Sequence, residues 1–400
     1  VLWTTLRSAP TQARFELVPD RERLRHGEAK LSYVRPLRDG AKFSAGYEFK
    51  HDDNHFDADV LRGAALAALV PDPAYVNRYA FGQTINAGYA TYERALGDLN
   101  LQAGLRVENT DLDIDERYSP RARPSYLRAY PSLHLAYKLD DGHKLTASYS
   151  RRVQRPPPIL LNPRRIFGDP KIYQVGNPDL KPQDTDAFEA GYELRKGGAT
   201  YLATVYHRRN RGEFSPIARD AGAGAYAVTF DNLGSSRSTG LELVANGKLA
   251  PKLGYSVNAN LFHKEIKATS FGSPTARSAY NLVGRVNLDW QATPKDLLQI
   301  NAGAQGRQMF VQGTIAPIYT VNLGWRRKVT DTVTLTASVQ DLFDDNRQHR
   351  RLASPTLDND AMYRPVSRAV SLRLDYRFGV KPKTAAPEPG FDYGAPASGL

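Results

Sequence analysis

Residues able to do chemistry are scattered along this chain and crowd together in one place. His51 and His55 stand among Asp52, Asp53, Asp57 and Asp59. Carboxylates at that density could hold a cation through oxygen ligands. Such sites are rare and acidic surface stretches common, so a solvated acidic loop is the favoured reading. Thiol chemistry and thiolate metal sites are excluded, because the chain has 0 cysteines. Neither the phosphate loop Gly-x-x-x-x-Gly-Lys nor the zinc signature His-Glu-x-x-His occurs. The 8 histidines have no spacing that sets a base beside a nucleophile. The residue types argue against catalysis, and the chain reads as no enzyme.

The elements that would position such residues are strands. Leu99, Leu101, Ala103, Leu105 and Val107 alternate with Asn100, Gln102, Arg106 and Glu108. Thr332–Gln340 repeats the pattern with a Thr/Ser/Gln face, and Val370–Phe378 sets Ser371, Arg373, Asp375 and Arg377 against an apolar row. Period two over eight or more residues belongs to a strand and not to a helix stripe. Roughly sixteen such segments of about 8–14 residues follow one another, with no long helical pattern between them. The run 61–70 could make a short helix within a loop.

Composition allows two all-β classes. Mean hydropathy is −0.50, and no apolar run approaches the roughly 20 residues of a spanning helix. A β-barrel escapes that rule, since only alternate residues face lipid. A soluble all-β protein and an outer-membrane barrel therefore both remain. The connections separate them. Short turns at 35–40, 94–98, 139–142, 195–198, 247–251, 292–295 and 328–331 take turns with longer loops near 50–77, 110–128, 153–183, 211–236, 268–277, 309–316 and 342–364. A sandwich has no reason to sort loops by parity, whereas an outer-membrane barrel has short periplasmic turns and long extracellular loops. Tyr92, Tyr137, Trp290, Trp325, Tyr376 and Phe378 lie near the short turns or the last strand's end, on the apolar parity. A periplasmic aromatic girdle would lie there.

One stretch carries the most information. It runs Tyr149-Ser-Arg-Arg152-Val-Gln-Arg155-Pro156, then Leu161-Asn162-Pro163, then Gly176-Asn177-Pro178-Asp179-Leu180-Lys181-Pro182-Gln183, and enters a strand carrying Glu189. This resembles the barrel of TonB-dependent outer-membrane receptors, in the branch described as outer-membrane β-barrel family proteins. Further pieces resemble it too: the hairpin 28–49, Gly104-Leu-Arg-Val-Glu108, Asn232-Leu-Gly234 with Gly240-Leu-Glu242, and Val339-Gln-Asp-Leu-Phe-Asp344. Phe378 resembles the aromatic end of a final strand. Gln183 stands where the family more usually has Glu.

The resemblance implies an antiparallel up-and-down transmembrane β-barrel in the bacterial outer membrane. About twenty-two strands are expected in such a transporter, so roughly six would precede this chain. Residues 1–378 are expected to be the C-terminal part of the barrel, and 379–400 a disordered Pro/Ala/Gly-rich tail. The lumen-filling plug and its TonB-contacting segment are not recognisable here, and the chain reads as a fragment. The implied function is uptake of a scarce ligand (siderophore, cobalamin, carbohydrate or peptide-like) with energy relayed by TonB. Alternatives are a passive porin-type channel and a structural or adhesive barrel. Arg106, Glu108, Arg152, Arg155, Asn177, Glu189, Glu242 and Arg373 are the candidate lumen or loop contacts to such a ligand. No cofactor is expected.

Net charge is +12, from 54 Lys+Arg against 42 Asp+Glu. A basic lumen would attract anionic ligands, and basic outer loops such as Arg347–Arg351 suit lipopolysaccharide phosphates; the latter, with general solvation, is the favoured reading. No nucleic-acid partner is expected, since the basic residues lack a reading helix or stacking platform.

Overall fold

The computed structural model describes residues 15–73, 76–116, 119–167, 172–222, 224–270, 273–354, 357–365 and 367–378. The 379–400 tail lies outside the described residues. Fifteen strands form one continuous antiparallel wall in which each pairs with the next in sequence. They are β1 (Asp20–Pro36), β2 (Lys42–Ala58), β3 (Asn77–Leu96), β4 (Leu99–Glu116), β5 (Ser125–Lys138), β6 (His143–Gln154), β7 (Gln183–Lys196) and β8 (Ala199–Gly222). After them come β9 (Ala225–Ala250), β10 (Leu253–Ser270), β11 (Ser273–Gln291), β12 (Asp296–Gln305), β13 (Ile318–Lys328), β14 (Val333–Gln340) and β15 (Ala369–Tyr376).

Among its hairpins, 132–138 pairs with 144–150, 184–196 with 199–211, and 333–340 with 369–376. The wall curves as a barrel does, but its ladders run only from β1 to β15, and none among the described residues joins β15 back to β1. Both end strands are accordingly exposed along nearly all their length.

Alternation decides which face is which. On the outer face a belt of large apolar side chains stands exposed, including Leu105, Leu243, Leu372 and Leu374. Register carries this row from strand to strand, as Val205 opposes Leu241, which opposes Leu261, which opposes Leu282. A folded chain leaves such a continuous belt bare only where something other than water covers it. The inner face is polar, with Glu48, Glu108, Thr110, Ser150, Asn322, Thr336 and Ser338 all buried. Asn322 donates to Asn301 at 3.0 Å, and Asn301 donates to Asn287, a row of amides across three strands. Tyr92, Tyr137, Trp290, Trp325 and Tyr376 lie on the outer parity near the short turns, and Phe378 stacks on Tyr376 at 6.3 Å.

All seven short turns are present. One two-residue turn is Gly197-Gly198, where φ is 61° and 77°. Left-handed conformation at both central residues matches a hairpin turn to the strands' own twist, and glycine adopts it without a Cβ clash.

The opposite end departs from expectation. The segments 211–236 and 268–277 are not loops but upward extensions of β8–β9 and β10–β11, which run to 24, 26, 18 and 19 residues. A strand needs only about 9–11 residues to cross a bilayer. Polar, Gly-rich ends conceal such an extension, because the ladder itself supplies the pairing. The stretch 50–58 is likewise strand and not acidic loop: Asp52 accepts from His26 at 2.7 Å, and Asp53 pairs with His55 at 3.0 Å. Among the described residues no group of three or more His, Cys, Asp or Glu could hold a metal ion. Residues 61–70 form a single 3-10 turn, Leu66–Ala68, between short strands. Phe15–Leu17 stands apart from the wall and pairs with Leu61–Gly63 in a small separate sheet.

Candidate functional site

Three of the eight candidate residues meet on the inner wall. Arg106 and Glu108 are two apart on β4, hence on one face, and Arg106 Nε donates to Glu108 Oε1 at 2.5 Å. Arg106 also reaches Glu48 of β2 at 2.8 Å, and Glu48 is held from its other side by Lys50 at 2.5 Å. Arg155, just past the end of β6, donates to Glu108, to Thr110 Oγ1 at 3.2 Å and to the Tyr126 hydroxyl at 3.2 Å. The result is an unbroken row, Lys50–Glu48–Arg106–Glu108–Arg155, with charges alternating in sign. Buried carboxylates persist only when paired in this way.

Local geometry lets Arg106 span two strands. Ala87 of β3 lies between Glu48 and Glu108 in register and is fully buried. Its methyl group leaves room for the guanidinium to pass over. A Cβ on Gly46 would fall 2.3 Å from the Tyr89 hydroxyl, so the Tyr89 ring lies flat over that glycine. Arg106 in turn sits 6.0 Å from the centre of that ring.

The other five candidates are dispersed. Glu189 faces inward on β7 and pairs with Arg208 at 2.9 Å. Glu242 is on the inner face of β9, between Thr204 and Asn260 in register. Arg373 is on the exposed last strand, bonded to Asp375 at 2.9 Å. Arg152, at the top of β6, is exposed. Asn177 holds a turn together: its Nδ2 donates to the Phe230 carbonyl at 2.9 Å, while its Oδ1 accepts from Asp179 N at 3.0 Å.

That turn belongs to residues 155–167 and 172–182, which form a strap across the mouth. Its one-turn helix, Pro158–Leu161, and Leu180 pack on the inward-facing Tyr79, Phe81 and Ile114, with Phe214 and Phe230 alongside. Arg164 reaches Asp20 of β1 at 2.6 Å. Residues Ile172–Val175 run parallel to 226–228 of β9. Asn232 completes the attachment, donating to the Lys181 carbonyl at 2.9 Å and accepting from Lys181 N at 2.8 Å. The strap therefore ties β1 to β9.

Between the strap and an outer four-stranded sheet (308–310, 313–315, 348–354 and 357–363) lies a cavity of ≈ 90 Å³. Leu160, Asn162, Arg164, Gln174, Phe230 and Arg350 are among its lining residues. Arg350 Nε is buried without a hydrogen-bond partner among the described residues, and its guanidinium lies 5.5 Å from the Phe310 ring centre. Burial alone lowers its pKa from the ordinary arginine value.

Sequence reading missed Glu48 and Lys50, and placed Arg350 only within the basic outer loop Arg347–Arg351 and not at a buried cavity. Glu48 was recoverable from the alternation Ala45-Gly-Tyr47-Glu-Phe49, which continues past residue 50. Nothing local marks Arg350, whose setting depends on segments over a hundred residues away.

The model of the outer membrane protein beta-barrel family matches residues 18–376. No curated protein matches the chain. Among solved structures, the copper transporter OprC is 16% identical at a TM-score of 0.65, covering 90% of this chain and 57% of its own. The siderophore receptor PiuA from Acinetobacter baumannii gives 14% and 0.63, covering 90% and 56%. The ferric yersiniabactin uptake receptor FyuA from Yersinia pestis gives 13% and 0.62, covering 92% and 57%. The chain thus spans little more than half the length of these structures.

Proposed function

The chain belongs to the outer membrane protein beta-barrel family and is integral to the outer membrane, and from that premise we propose that it forms most of the wall of a receptor that takes up a scarce ligand. Energy would be relayed from the inner membrane by TonB, since binding alone gives transport no direction. The observation that carries the reading is the strap (155–167 and 172–182), tied to both β1 and β9 over a wall lined with paired charges. The ligand would be caught at the mouth, where Arg164 and Arg350 offer cations beside Leu160 and Phe230. Arg106, Glu108 and Arg155 line the route beneath, with Arg152, Asn177, Glu189, Glu242 and Arg373 as further contacts. A siderophore, a cobalamin, a carbohydrate or a peptide-like molecule would each fit this role. Transport and not catalysis is supported by neighbours that are transporters and receptors.

The test is accumulation of candidate ligands in cells with the gene deleted and restored, with and without a protonophore. Restored accumulation that collapses with the proton gradient is expected. Entry that ignores the gradient would favour a passive channel, and no change on deletion would favour a structural barrel.

A further inference from the structure

Apolar side chains on the outer face stop abruptly toward the mouth, and what replaces them is charged, with arginines on β8 and β9 flanked by the carboxylates of Asp184 and Asp186 on β7 and Glu265 on β10. On β8 the outer row reads Tyr201, Ala203, Val205, then His207, Arg209 and Arg211. On β9 it reads Leu243, Leu241, then Thr239 and Arg237. Arg209 and Arg237 are direct cross-strand partners, and both are exposed. Like charges placed opposite each other on one face destabilise a sheet unless something lies between them.

Neighbouring carboxylates do not fill that role. Asp186 already accepts from Arg151 at 2.8 Å and from Arg211. Glu265, opposite Arg237, pairs with Lys267 at 3.3 Å. Among the described residues no side-chain hydrogen bond or ion pair engages the guanidinium of Arg209 or Arg237. Immediately below, Tyr149 and Phe188 face outward with ring centres 4.9 Å apart. Together with Arg151, Asp186, His207 and Arg209 they line an open groove of ≈ 330 Å³.

We propose that this patch, at the upper edge of the lipid belt on β6–β10, binds a phosphorylated glycolipid of the outer leaflet. Its phosphates would sit between Arg209 and Arg237, and its acyl chains would run down over Tyr149, Phe188, Val205 and Leu241. Arginine suits the task because its planar fork binds phosphate oxygens in pairs and is weakly hydrated. The end of the wall is fixed independently, since all seven short turns lie at the other one. This site is separate from ligand uptake and rests only on placement in the outer membrane.

Native mass spectrometry of the detergent-solubilised chain tests it, with diphosphoryl lipid A and its fully dephosphorylated counterpart as probes. The unaltered protein should retain the diphosphoryl form at least about tenfold more strongly. Equal retention of the two would overturn the proposal. R209Q/R237Q should lose most of that preference, while R219Q, on an outer hairpin paired to Asp231, should keep it. An unchanged preference in the double variant would also overturn it. If the double variant fails to fold, a large excess of inorganic phosphate added to unaltered protein decides. Lipid that stays bound supports headgroup and acyl recognition together, whereas complete displacement shows a simple phosphate site and refutes the lipid.

Discussion

Arg106 and Glu48 stand on strands separated by a third, 58 positions apart in sequence, yet their side chains meet at 2.8 Å over the buried methyl group of Ala87. The contact ties β2 to β4 without help from the intervening ladder. It also depends on a small residue at 87 as much as on the two charges.

Arg106→Ala should therefore lower stability by about 1–3 kcal/mol, since it leaves Glu48 and Glu108 short of a donor. Ala87→Leu should cost a similar ~1–3 kcal/mol by driving a branched side chain into the same gap. Urea titration of the chain refolded into vesicles reads both. If Arg106→Ala unfolds at the parent midpoint, the row of charges is not holding the wall.

Leu243 and Glu242 are adjacent on β9 and face opposite ways. Arg placed at Leu243 should cost about 2–4 kcal/mol if that position lies near the bilayer midplane, and far less at Glu242, which faces the lumen. The same titration compares them, and equal costs would contradict the assigned faces. A slip of one residue would invert the entire set.

Gly176 anchors the strap by close approach. A Cβ there would lie 2.2 Å from the Asn162 carbonyl oxygen, and backbone cannot move aside as a flexible side chain would. Gly176→Ala should loosen 172–175 from 226–228, seen as faster amide hydrogen exchange in those two segments alone. Unchanged exchange would mean the strap is not tied to β9 through this turn.

Asp341, past the end of β14, has a positive φ of 44° and is 3% exposed. Its carboxylate accepts from Ser367 Oγ at 2.6 Å, Asp345 N at 3.1 Å and Asn346 N at 3.2 Å. Asp341→Ala should cost about 2–4 kcal/mol, by stranding those donors and by straining the backbone. Asp341→Asn should cost less, because it tolerates that conformation and keeps one acceptor oxygen. Equal costs for the two would show that the lost carboxylate charge and not conformation dominates.

How far the sequence was legible follows from which interactions are local. Alternation at 99–108 and 370–376 set both strand and face, because period two is a property of the strand itself. The short turns were readable from Gly, Pro and Asp for the same reason. What failed depends on partners distant in sequence. His51 to Asp57 resemble an acidic loop until β1 supplies His26 and Arg25 across the ladder. The extended hairpins at 211–236 and 268–277 are rich in Gly, Ser and charged residues, which mask the short apolar alternation Tyr226, Val228 and Phe230. Arg106, Glu108 and Arg155 met because each lies on the inner face at similar height, while Glu242 and Arg373 share the face but lie strands away. Arg350 and the strap are products of closure over the mouth, which no window of sequence contains.

The most direct test is an accessibility scan along β9. The chain has 0 native cysteines, so single cysteines at 241–245 can carry a fluorophore without background. In vesicles, labels at Leu241, Leu243 and Ala245 should be quenched by spin-labelled lipid and spared by iodide, and labels at Glu242 and Val244 should show the reverse. Labels at all five positions responding to iodide alone would contradict a lipid-embedded wall, and with it the receptor.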